Sequence, residues 1–234
     1  MRKHDLSFAW ALILLVGFIF STVAQSYEVP LAPVSRADLC VTEGTIAPSG
    51  PWLSVSVPKM RAYVNLTTPQ SVEARFRYLG STGNEARLGS GELRRQFGLK
   101  LRAQDACNLV YAMWRIEPES KLVVSVKTNS LQHTSAECGN RGYRNIKPRR
   151  SKPVRMLRPG DTGSLRAEMN GTEMRVFADH DVVWQGSVGP EVLDFDGPVG
   201  IRSDNARLEI ELRAGQPRRE RPEQEKGCRT PAGD

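Results

Sequence analysis

The 234-residue sequence has only four cysteines and three histidines, and neither type is spaced to hold a metal. Cys40, Cys107, Cys138 and Cys228 include no CxxC pair, and His4, His133 and His180 are scattered, which argues against zinc. No metal and no cofactor is expected. Also missing is sustained i, i+3, i+4 apolar spacing beyond the N-terminal stretch, so helix content should be low. The last segment, 214–234, mixes charges and proline with almost nothing apolar. It cannot bury enough surface to offset its ordering entropy, which predicts a flexible charged tail.

What is present begins with an export signal. Arg2, Lys3 and His4 make a positive start, Phe8 to Phe20 is uncharged and almost wholly apolar, and small residues follow at Ser21, Thr22 and Ala24. That order predicts a signal peptide over 1–24, cut after Ala24, and a secreted or periplasmic protein. The stretch 6–23 is also just long enough to cross a bilayer uncut, which would leave a membrane-anchored chain. An exported chain keeps its disulfides, and an even cysteine count fits two. Of the three pairings, the favoured one joins Cys107 to Cys138 inside the fold and Cys40 to Cys228 across its ends.

Residues 25–50 are rich in Pro, Ser and Gly and read as a lead-in with little regular structure. From 51 to 213 the apolar period is two. Val72-Glu73-Ala74-Arg75-Phe76-Arg77-Tyr78, Phe97-Gly98-Leu99-Lys100-Leu101-Arg102 and Arg207-Leu208-Glu209-Ile210-Glu211-Leu212 all alternate. About ten or more such runs, punctuated by Gly, Asn, Asp or Pro, predict an all-β jelly-roll sandwich of antiparallel strands. Asn170-Gly171 is a strong two-residue hairpin signal and Asp179-His180-Asp181 a weaker one, together predicting a three-strand meander over 163–186.

The formal net charge of +7 is concentrated. Arg144 to Arg158 holds seven basic residues and no acid, so the rest of the domain is slightly acidic. This loop, with Arg144, Lys147, Arg149, Arg150 and Lys152, is a candidate contact for polyanions such as acidic polysaccharide. It lacks interleaved aromatics for base stacking, and export adds to the case for no nucleic acid partner.

The segments SLRAEMNGTEMRVFADHDVVWQG (164–186) and FDGPVGIRSDNARLEIELR (195–213) resemble the concanavalin A-like lectin/glucanase superfamily. The flavour is that of laminin-G-like and three-keto-glycoside hydrolase-like jelly rolls. The resemblance implies a sandwich over about 50–213 and a carbohydrate-related role. One departure bears on activity. Glucanases of this superfamily carry Glu-x-Asp-x-Glu on one strand, because retaining hydrolysis needs two carboxyls about 5 Å apart. Nothing here matches it. Glu209 and Glu211 alternate with core residues and read as solvated. Asp194 and Asp196 are too few for calcium.

The strand from Cys107 divides its residues between two faces. Asn108, Val110, Ala112, Trp114 and Ile116 read as core. Tyr111 and Arg115 lie opposite, beside Lys100 and Arg102 in a compatible register, with Lys127 extending that face. An aromatic surface beside guanidinium groups suits a sugar or a carboxylate. The loop 128–143 adds His133, Glu137 and Arg141 as further binding candidates. Three functions follow. The leading one is a non-catalytic binding domain for carbohydrate or another extracellular ligand. The second is a glycoside-processing hydrolase using Glu137 or His133, and the third a structural or interaction module of the cell envelope, marked by a flat, pocketless sheet.

Overall fold

The structure, a computed structural model, describes residues 30–64 and 71–215. The expected signal peptide or anchor, residues 216–234 of the expected tail and Cys228 lie outside the described residues, while Ala214 and Gly215, expected in that tail, are the buried end of the last strand. The strands before the first long loop are β1 (Leu31–Pro33), β2 (Leu39–Glu43), β3 (Ala47–Ser49), β4 (Trp52–Val55), β5 (Lys59–Val64) and β6 (Ser71–Ser81). After that loop come β7 (Arg95–Leu101), β8 (Leu109–Glu117), β9 (Lys121–Lys127), β10 (Tyr143–Asn145) and β11 (Arg150–Ser151). The chain closes with β12 (Thr162–Asn170), β13 (Glu173–Ala178), β14 (Asp181–Ser187), β15 (Gly200–Asp204) and β16 (Ala206–Gly215).

These strands form two antiparallel sheets, the jelly-roll sandwich that period-two alternation predicts. One has the order β11-β14-β13-β12-β6-β16-β4-β3, with β1 paired to the far end of β16. The other has the order β10-β9-β8-β7-β15-β5-β2. Alternate residues of each sheet meet in one apolar core. Phe76 of β6 packs edge-on to Phe97 of β7 and Trp114 of β8, with ring centroids 4.7 and 5.6 Å away, a geometry that sets ring edges against negative ring faces. Val110, Ala112, Trp114 and Ile116 all join this core, as expected. Asn108 does not: it is buried outside the strand, where its amide donates to Asp105 Oδ1 at 2.9 Å and to the Gln132 carbonyl at 3.0 Å.

The outer face of the larger sheet carries opposite charges in register. Arg77 meets Glu209 at 2.9 Å and Arg75 meets Glu211 at 3.4 Å across the β6–β16 pair, while Leu208, Ile210 and Leu212 turn inward. The two glutamates are therefore neutralised surface groups.

Three local expectations need correction. The lead-in contributes β1, β2 and β3, because its few apolar residues, Leu39 and Ile46 among them, fill core positions. The meander is present, but its first turn is shifted by one residue. Asn170 pairs with Glu173, so the loop residues are Gly171 and Thr172, with the positive φ of 59° at Gly171. The second turn, expected to be the weaker, has positive φ at both loop residues, 49° at Asp179 and 74° at His180. That is the pattern of a type I′ turn, whose twist matches the flanking strands.

Every sheet edge is short or interrupted. β11 has two residues, β10 three, and β3 three with Pro48 at its centre. β2 is longer but shifts register between Val41 and Glu43.

Candidate functional site

The outer face of the seven-stranded sheet differs from that of its partner: polar groups there are buried rather than solvated. Pairing of β15 with both β5 and β7 aligns Arg61, Arg202 and Gly98 across the sheet, and β7–β8 pairing extends the row to Met113. The neighbouring row carries Asp204, Gln96 and Arg115. On the other side lie Lys100 and Tyr111, directly paired, and then Ser125.

A groove of about 400 Å³ runs over these rows, with Tyr111, Arg202, Gln96 and Arg115 in its lining. Beneath it Met113 closes over Gly98, where a Cβ would lie 2.7 Å from the Met113 Sδ. Two loops wall it. The first, 88–94, is held from below by Asn205, wholly buried at φ 58°, whose side chain accepts from the Ala86 amide at 2.8 Å and donates to the Arg94 carbonyl at 2.8 Å. The second wall follows the short helix α1 (Ser135–Cys138), capped by Thr134 and Glu137. The Cys107–Cys138 disulfide, with its Cα atoms 5.9 Å apart, pins this wall to the start of β8. The walls approach each other at Gly89 and Asn140.

Asp204 organises the floor. It has no exposed surface and accepts from Arg61 Nη2 at 2.7 Å, Gln96 Nε2 at 2.7 Å and Arg202 Nε at 2.9 Å. Burial pushes its pKa up, but Arg202 and Arg61, helped by Gln96, override that and hold it at about 2. Burial likewise opposes the charge on Arg202, and Asp204 reverses the balance and raises its pKa. Arg202 then lies over the Tyr111 ring at 5.2 Å, and Tyr111 stacks with Tyr143 at 6.0 Å. Lys127 reaches the Tyr143 ring at 5.1 Å while donating to the Ala106 and Gly139 carbonyls, both at 2.9 Å. Tyr143 is the outermost ring, 38% exposed against 4% for Tyr111.

Acid should weaken the fold through Asp204. Its depressed pKa contributes stability that is fully present above the unfolded value of 3.8 and is lost as pH falls toward about 2. Urea midpoints measured from pH 5 down to 2 should fall steeply in the native chain and more gently in Asp204→Asn.

Of the binding residues read from sequence, Tyr111, Arg115 and Lys127 line the groove. Lys100 sits beside Tyr111 but is 2% exposed, so it lies beneath the surface rather than on it. Arg102 leaves the face: β7 ends at Leu101, Arg102 takes φ 47°, and its guanidinium donates to the Val192 carbonyl at 2.7 Å. His133 and Glu137 make no side-chain pair. His133 Nδ1 meets Asp105 at 2.7 Å, a bond that raises its pKa, while Glu137 accepts from the amides of His133 and Thr134, both at 2.9 Å. Arg141 turns back onto the Glu137 and Cys138 carbonyls.

The basic loop is largely neutralised by its neighbours. Arg144 pairs with Glu191, Arg149 with Glu173, and Lys152 with Asp181 at 3.6 Å. Lys147 and Arg150 have no such acid among the described residues. Sequence reading missed Arg202, Asp204, Gln96 and Arg61 as site residues, and reached Tyr143 only as the end of the loop 128–143. Alternation around Ile201 does put Arg202 and Asp204 on one outward face, but their neighbours come from strands far away in the chain.

No cluster of three His, Cys, Asp or Glu able to hold a metal occurs among the described residues. No family model matches the chain, and no curated protein does so either. Solved structures do match. The carbohydrate-binding module CBM66 from Bacillus subtilis superposes with a TM-score of 0.50 at 14% identity, over 74% of this chain and 92% of that one. The likeness is that of a two-sheet β-sandwich fold. The carbohydrate recognition domain of Emp46p gives a TM-score of 0.48 at 10% identity, over 77% of this chain and 88% of that one. A Parabacteroides distasonis protein named as a glycosyl hydrolase gives 0.47 at 10% identity, over 75% and 93%. At such identities the likeness is one of fold.

Proposed function

We propose that this chain is an exported, non-catalytic carbohydrate-binding domain whose ligand lies in the groove over β5, β15, β7 and β8. The observation that carries this reading is the outermost ring, Tyr143, beside a floor of guanidinium groups held in place by Asp204. A sugar offers an apolar ring face and a rim of hydroxyls. Tyr143 suits the first, and Arg202, Arg115 and Gln96 suit the second. The groove volume of about 400 Å³ falls in the usual range for small-ligand sites. A flat, pocketless sheet would have favoured a purely structural module. The two carboxylates of the lining, Glu43 and Glu92, are each ion-paired, to Arg61 and Arg94, which favours binding over hydrolysis. The two-sheet β-sandwich fold, shared with a protein named as a carbohydrate-binding module, adds support. Export rests on the signal-like N-terminus and agrees with the Cys107–Cys138 disulfide.

A glycan array probed with the purified protein tests this directly. Tyr143→Ala should weaken binding to the captured glycan by at least about tenfold, roughly 1.4 kcal/mol, without lowering the melting temperature by more than a few degrees. An array with no captured glycan, or undiminished binding by the variant, would remove the groove from consideration.

A further inference from the structure

Resting on the carbohydrate reading of the groove, we propose that the ligand is an acidic glycan, a chain bearing carboxylates, and that Arg115 is the cation that receives one of them.

The lining holds six basic side chains, Lys59, Arg61, Arg94, Arg115, Lys127 and Arg202, against the carboxylates of Glu43 and Glu92. Most of the guanidinium groups are already engaged. Arg61 and Arg202 share Asp204, and Arg94 holds Glu92. Arg115 is different: among the described residues no carboxylate lies within ion-pairing distance of it, and its Nε is buried with no hydrogen-bond partner. The two acids that act on it electrostatically, Glu92 and Glu119, are bound instead to Arg94 and to Lys121. Burial and the like charge of Arg94 both disfavour its ionised form. A half-buried guanidinium without a counter-ion is costly, and an incoming carboxylate would relieve that cost through the planar fork.

Its position adds chain length to charge. A second recess, of about 340 Å³, shares Glu92, Arg94 and Arg115 with the groove and continues past Leu93, Pro118 and Lys121. Arg115 stands at the junction, so a ligand reaching both spaces must pass it. A single sugar would fill one space; an oligosaccharide would fill both. The basic loop, where Lys147 and Arg150 lack an acid among the described residues, offers no comparable enclosure.

Calorimetry with the purified protein tests the inference, using oligomers of galacturonate, glucuronate and mannuronate, each paired with its methyl ester. At least one acidic hexasaccharide should bind at least tenfold more tightly than its ester and more tightly than its own disaccharide. Arg115→Gln should erase the preference for the acid, weakening the acidic oligomer far more than its ester, with a melting temperature close to that of the parent. Arg115→Lys should retain part of the preference, and the double variant Lys147→Gln, Arg150→Gln all of it. Esters or neutral glycans that bind as well as the acids would overturn the charge assignment and leave the carbohydrate reading standing. A preference that survives in Arg115→Gln but disappears in the loop variant would move the contact to the basic loop. Silence toward all these sugars and toward a neutral glycan array would sink both readings.

Discussion

Asp204→Ala should cost about 3–5 kcal/mol of folding stability, the expected penalty for breaking a buried ion pair from one side. The carboxylate has no exposed surface and three donors converge on it from three strands, β5, β7 and its own β15. Removing it leaves Arg61, itself 8% exposed, with Glu43 at 3.7 Å as its remaining acid. The second consequence is positional. Without Asp204 the Arg202 Nε loses its acceptor, and the guanidinium keeps only a long 3.4 Å bond from Nη1 to the Tyr143 hydroxyl to set it over Tyr111. Binding should therefore fall even at temperatures where the variant is folded. The check is a urea titration beside a ligand titration at the same temperature. A variant within about 1 kcal/mol of the parent would mean that the three donors find other acceptors, and the account of Asp204 as organiser would fail.

Replacing Cys107 and Cys138 together by serine should remove about 3–4 kcal/mol, the value expected from loop-closure entropy for a bridge spanning 31 residues. The bond ties α1 to the start of β8, and Lys127 fastens the same corner through the Ala106 and Gly139 carbonyls. Losing the tether frees one wall of the groove, so affinity should drop through faster dissociation more than slower association. Denaturation of the parent and of the double serine variant, both without reductant, gives the stability term, and dissociation rates give the second. Unchanged dissociation would show that Lys127 and the Thr134 cap hold the wall unaided.

How much of this was legible depends on distance along the chain. Alternation is local, and it placed Val110, Ala112, Trp114 and Ile116 inward and Tyr111 and Arg115 outward. It also anticipated Lys100 beside Tyr111. It could not reveal that β15 inserts between β5 and β7, which brings Arg202 to Tyr111 from far along the sequence. Nor could it say where a strand stops. Arg102 continues the alternating pattern, yet its backbone turns left-handed just past Leu101 and the side chain departs. Tyr143 stood in what reads as a loop, and its value came from a three-residue pairing with β9. The basic loop shows the same limit for charge: its acids, Glu173, Asp181 and Glu191, sit in later segments that no count within 144–158 includes.

The clipped margins of the two sheets bear on how the molecule behaves in company. A sheet grows by adding backbone to an open rim, and here each rim gives a newcomer little to hold. Pro48 withholds a donor at the centre of β3, β11 and β10 end almost as they begin, and the slip in β2 spoils its spacing. Two copies meeting side by side could make only a few bonds before the match failed, so fibrous stacking has no easy seed among the described strands. Contact between copies through these rims would therefore be brief, and any lasting association would have to use the faces of the sheets instead.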